Sequence, residues 1–105
     1  MGRGEFAAWV QLLGVSREEV ADLLGVNVRS VVRWLGGAAA VTPGRADDVR
    51  RLVGEHDRHV AEALTAGRVV LPVESAGGRP RSWWVGVAAR ALATHMGVSV
   101  EDGGG

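Results

Sequence analysis

Residues 17–36, REEVADLLGVNVRSVVRWLG, decide how the rest of this chain is read. Ser16, just before them, supplies a side-chain oxygen at a helix start, and Glu19 follows three residues later. Ser16-x-x-Glu19 is therefore a capping box that opens a helix running to about Leu24. Gly25 stops it, because a residue without Cβ tolerates positive φ and lets the chain reverse within a few residues. Asn27 is suited to cap the next helix, from about Val28 to Leu35. Val20, Leu24, Val26, Val31 and Trp34 are spaced so that both helices turn apolar faces into one angle. Ala21 falls where the two helices come closest, and a larger side chain there would push them apart.

Subtracting these core positions from the second helix leaves the surface it can show a partner: Asn27, Val28, Arg29, Ser30, Val32 and Arg33. Two helices joined by a tight turn are the arrangement that presents its second helix to the DNA major groove. Arg29 and Arg33 are four apart and share a face, and an arginine fork reaches guanine O6 and N7 together. Val28 and Val32 flank them and can touch a thymine methyl. Asn27 and Ser30 suit phosphates or an adenine edge. The competing reading is that both arginines are ordinary solvated surface residues.

Ala21, Gly25 and the apolar set Val20, Leu24, Val26, Val31 and Trp34 together resemble the helix-turn-helix of the phage repressor and Cro (Xre-like) superfamily. The resemblance implies that Asn27, Val28, Arg29, Ser30, Val32 and Arg33 form the DNA-binding surface.

Working outward, Met1 to Gly4 reads as a loose start. Phe6, Trp9, Val10 and Leu13 have helical spacing from Glu5 to Leu13, which gives a first helix whose apolar face covers the next two. Gly14 ends it, and Val15 leads into the Ser16 cap as a hydrophobic staple. The three helices are expected to pack around Trp9, Leu13, Val20, Leu24, Val31 and Trp34. Two glycines follow Leu35, Val41 can pack back onto the trio, and Thr42-Pro43 opens a long fourth helix to about Ala66. Its stripe of Ala46, Val49, Leu52, Val53, Val60, Ala63 and Leu64 contains His56. His56 and His59 are three apart, a usable metal-ligand spacing, but no third ligand sits at a matching position, so packing and hydrogen bonding are the expected roles.

Gly67 ends the fourth helix, and RVVLPV, residues 68–73, is the one convincing strand. It has no evident partner within the chain other than the residues just before Trp83, so pairing with the same strand of a second copy is the expected solution, with Pro72 at an edge. Residues 74–81 read as a flexible loop, and Ser82 as the cap of a last helix from Trp83 to about Met96. Trp84, Val87, Ala88, Ala91, Leu92 and His95 share one face of it. Adjacent tryptophans point to different sides, which a subunit interface would explain. Dimerisation is accordingly assigned to Val69, Val70, Leu71, Trp83, Trp84, Val87, Ala88, Ala91 and Leu92. Residues 98–105, ending in glycines, read as a disordered tail.

The order of parts is similar to the small YdiL-like regulators and the anti-CRISPR-associated autorepressors. The similarity lies in Trp34-Leu35-Gly36-Gly37 with Thr42-Pro43, in Val49, Leu52 and Val53, and in Trp84 with Val87-Ala88-Ala89-Arg90-Ala91-Leu92. It implies a homodimer that binds an inverted-repeat operator and represses transcription, its own included.

The expected fold class is mostly α. A DNA-binding domain spans 1–66 and includes the long helix, a strand-loop-helix dimerisation segment spans 67–97, and the tail spans 98–105. At 105 residues there is material for one small helical core. The formal net charge of +0 argues against a coating nucleic-acid binder that works through global charge, so local charge must act. There is no cysteine, which excludes disulfides, thiolate metal sites and cysteine nucleophiles. The absence of a phosphate-binding glycine loop or a nucleophile-base grouping points away from an enzyme, and no cofactor or small-molecule ligand is expected. Without a spanning segment or signal pattern, a cytoplasmic protein is expected. Two competing functions remain: an antitoxin or adaptor that grips another protein through the strand and last helix, and an excisionase-like architectural protein. The second fits less well because no wing strand follows the recognition helix.

Overall fold

A computed structural model describes residues 1–104. Helices dominate, with a small strand-and-helix segment toward the C-terminus. The order is α1 (Arg3–Leu13), α2 (Arg17–Leu24), α3 (Val28–Gly36), α4 (Pro43–Ala66), β1 (Arg68–Leu71), β2 (Ser75–Ala76), β3 (Arg79–Pro80), α5 (Arg81–Thr94) and β4 (Ser99–Asp102). The chain divides into two compact units, Met1–Val53 and Gly54–Gly105, so the division falls inside α4 rather than at its end.

In the first unit, α1 starts at Arg3, earlier than the apolar spacing indicates, and Met1 is not loose: its carbonyl accepts the Val41 N–H at 3.3 Å. Ser16 and Glu19 form the full capping box, the Ser16 hydroxyl accepting from the Glu19 N–H at 3.1 Å and the Glu19 carboxylate from the Ser16 N–H at 2.8 Å. Gly14, Gly25 and Gly37 end α1, α2 and α3 in the left-handed region, where a side chain would strain the backbone. Phe6, Val10, Leu13, Val15, Val20, Ala21, Leu24, Val31, Trp34, Val41, Ala46 and Val49 are all buried. Trp9 is an exception to the expected core. It is only half-buried, and its indole N–H donates to Glu5 at 3.1 Å, which holds the ring along the helix surface.

In the second unit the strand expected to pair with another copy pairs within the chain. β1 runs parallel to β4, with Arg68 opposite Ser99 and Leu71 opposite Asp102. The segment expected to be a disordered tail thus supplies an ordered strand, and Val98 beside it is buried; of that segment, Gly105 lies outside the described residues. Parallel strands need a crossover, and α5 is part of it. The expected loop at 74–81 is instead a hairpin, with Ala76 opposite Arg79 across Gly77 and Gly78. Both glycines have positive φ, 60° and 74°, as the tightest two-residue hairpin turns require. Helix α5 then starts at Arg81 behind Pro80, two residues before the expected start at Trp83 behind Ser82, because the hairpin delivers the chain there already extended. Arg81 ties the segment together, donating to the Pro72 carbonyl and to Asp102, each at 2.8 Å.

Trp83, not Trp84, is the core tryptophan, with none of its surface exposed. Its ring meets His56 edge-on at 4.7 Å, and its N–H donates to His59 Nδ1 at 2.9 Å. Trp84 stacks on His59 at 4.5 Å and donates to the Ala76 carbonyl. Arg79 closes the cluster, gripping Glu55 through two bonds of 2.7 and 2.8 Å and lying 5.2 Å above the Trp83 ring; the guanidinium holds the Glu55 carboxyl below its usual range.

His56 is fully buried, and its partners fix its tautomer. Arg90 can only donate, so Nδ1, 2.8 Å away, must accept, and Nε2 carries the proton toward the Trp83 carbonyl at 3.2 Å. Burial, and then the Arg90 charge, push the His56 pKa below 6.5, with His59 acting in the same direction and the hydrogen bond to the Trp83 carbonyl and Asp57 against. The unfolded chain therefore binds the extra proton more readily. Stability from this group is complete above 6.5 and is lost as pH falls through the depressed folded value. The urea midpoint is expected to drop between about pH 7 and about pH 5.5, and the drop to shrink in His56→Gln, whose amide can serve both partners. A wild-type midpoint that does not change over that range would contradict a neutral buried His56.

Candidate nucleic-acid interface

The candidate surface is built by α3. Asn27 caps it, its side-chain oxygen accepting the Arg29 N–H at 2.8 Å, while Ser30 N–H donates to the Asn27 carbonyl at 3.0 Å. With one lone pair of its oxygen engaged, Asn27 still has its amide N–H groups and a second lone pair for a partner. At the other end the Ala38 N–H reaches the Arg33 carbonyl and Gly37 N–H the Trp34 carbonyl, a glycine-centred stop that fixes the helix length. Arg3 adds a donor to the Gly36 carbonyl at 3.4 Å.

Val31 and Trp34 are buried on one side of α3, and Phe6 meets Trp34 edge-on at 5.5 Å, which fixes the helix about its own axis. Arg29, Val32 and Arg33 are thereby exposed on the opposite side, Val32 at 43%. Neither guanidinium has an ion pair or side-chain hydrogen bond with any described residue. Val28 and Ser30 are half-buried at the margin of this face. The structure thus brings Arg29, Val32 and Arg33 together with Asn27 at one end, and gives Val28 and Ser30 less surface than the sequence suggested.

Sequence reasoning missed one residue that shapes this unit. Arg45, in the first turns of α4, donates to the Leu24 carbonyl at 3.0 Å and pairs with Asp48 at 3.3 Å. It satisfies the carbonyl left open at the end of α2 and so braces the turn before α3. Nothing in its sequence spacing distinguishes it from the exposed Arg50.

The residues assigned to dimerisation fare differently. Val69, Leu71, Trp83, Val87, Ala88 and Ala91 are buried within the chain's own second unit, so most of their side-chain surface is already covered within the chain. Trp84 and Leu92 are half-buried, and Val70 is 46% exposed. The two histidines that suggested a metal site have ring nitrogens engaged with Trp83 and Arg90. Among the described residues, no helix is long and apolar enough to cross a membrane.

No family model matches the chain, and neither the curated proteins nor the solved structures yield a match.

Proposed function

We propose that this protein is a sequence-specific DNA-binding transcriptional repressor, acting as a homodimer on an inverted-repeat operator and regulating its own promoter in a bacterium or phage. The observation that carries the reading is the exposed face of α3. Arg29, Val32 and Arg33 project from a helix fixed by Val31 and Trp34 on its other side, and neither arginine side chain is paired with any of the described residues. Side chains held this way suit a guanine edge and a thymine methyl in the major groove. In a two-fold dimer the two α3 helices would enter successive major grooves about 34 Å apart.

A gel shift with the DNA upstream of the gene, at varied salt, tests this. Wild-type protein is expected to shift it selectively and less tightly as salt rises. Arg29→Ala is expected to lose about 1–3 kcal/mol of operator affinity and to relax base choice at one position. Wild-type affinity in Arg29→Ala would remove Arg29 as the reading residue, and no selective shift by the wild type would remove the repressor reading. The alternative, an antitoxin or adaptor gripping another protein, drew on an unpaired strand and two tryptophans in need of cover. β1 has a partner in β4, and both indoles are engaged within the chain, so those supports are weakened.

A further inference from the structure

β1 is paired on one edge only. Ser99 N–H donates to the Gly67 carbonyl and Gly103 N–H to the Leu71 carbonyl, so residues 67, 69 and 71 direct their backbone groups toward β4. Arg68 and Val70 direct theirs to the opposite edge, where no described residue takes them. Beside that edge lies an open groove of about 200 Å³, lined on β1 by Arg68, Val69 and Val70 and on the helices by Ala63, Ala66, Trp84 and Val87 together with the polar His59 and Glu62. No β4 residue lines it, which places it on the open side of β1.

We infer that this edge is the homodimer seam, with β1 pairing antiparallel to β1 of a second copy about a two-fold axis at Val69. The inference rests on the homodimer reading above and gives it an address. A second copy of the same strand is the occupant that matches the hydrogen bonds available. With Val69 on the axis, Arg68 and the partner's Val70 exchange both backbone bonds, as do Val70 and the partner's Arg68, and every open group on the edge is satisfied. Shifting the axis to Val70 would set Arg68 against the partner's Pro72, which has no N–H to give, and would leave the Arg68 carbonyl unmet. The core faces of the two sheets then coincide, so Val69 meets its twin beside the groove. β4 is a poorer seam, because pairing it with itself would bring Glu101 and Asp102 of both copies together.

The absence of cysteine makes the register directly readable. A non-hydrogen-bonded antiparallel pair sets its Cα atoms about 4.5 Å apart, inside the roughly 4.4–6.8 Å span of a disulfide. Purified Val69→Cys, without DNA, is expected to form a disulfide-linked dimer under mild oxidation, while Val70→Cys and Val100→Cys stay largely uncrosslinked. As a second measurement, Val70→Pro removes an N–H that β4 does not use; it is expected to keep its helical circular dichroism and run as a monomer where wild type runs as a dimer. Preferential crosslinking of Val70→Cys or Val100→Cys, or a wild type that is monomeric at tens of micromolar, would overturn the seam. The operator gel shift is scored separately on wild-type protein, so a failed register and a failed repressor reading give different results.

Discussion

Trp83→Ala is expected to destabilise the second unit by about 3–5 kcal/mol, the range for deleting a buried aromatic. Trp83 has no exposed surface, and its removal opens a cavity between α4 and α5. It also strands polar partners. His59 Nδ1 loses the indole N–H at 2.9 Å, and Arg79 loses the ring beneath its guanidinium. His56 loses the edge contact at 4.7 Å but keeps the backbone carbonyl of residue 83. Against a typical total of about 5–15 kcal/mol, that is enough to unfold much of the population on warming. Urea denaturation followed by circular dichroism measures it, with Trp83→Phe expected to fall between the two because the ring volume is mostly retained. A loss below about 1 kcal/mol would mean that the site collapses or that Trp83 is not the keystone of this unit.

Phe6→Ala is expected to have a comparable effect in the first unit, again about 3–5 kcal/mol. Phe6 is fully buried and stands edge-on to Trp34, 5.5 Å between centroids and 84° between planes. Trp34 is one of the two residues that fix α3 about its axis, so the mutation attacks the orientation of Arg29 and Arg33 without touching either. Two readouts are therefore expected to move together, the urea midpoint and the salt-sensitive operator shift. If stability fell while operator affinity stayed at the wild-type level at low temperature, α3 would not depend on Phe6 for its aim.

The first unit was legible in the sequence because its signals are local. Ser16 and Glu19 are one turn apart, Gly25 and Asn27 bracket a turn, and the apolar positions of α2 and α3 repeat at helical spacing. The second unit was not, because its signals are distant or short. β1 and β4 pair across the whole of α5, and SVED, residues 99–102, carries none of the alternation that marks a strand; its residues are all exposed at an edge. Gly77-Gly78 is a recognisable two-residue hairpin turn, but it is flanked by arms of only two residues each. Placing Trp84 with Val87, Ala88, Ala91, Leu92 and His95 on one face follows from reading α5 as a helix with one apolar face. The buried set is Trp83, Val87 and Ala91 with Gly86 and Ala88, a stripe rotated by one residue from the expected one. On the candidate DNA surface the sequence indicated which residues lie on α3, while the depth of Val28 and Ser30 depended on packing that periodicity does not encode.

The parallel pairing of β1 with β4 also sets an order of events during synthesis. A ribosome releases Arg68–Leu71 well before Ser99–Asp102, and in that interval β1 has two open edges. A nascent chain stalled or truncated ahead of Ser99 therefore exposes Val69, Val70 and Leu71 as an unprotected adhesive strip, the kind of segment that seeds aggregation on crowded polysomes. Completion of β4 is the step that shields half of it.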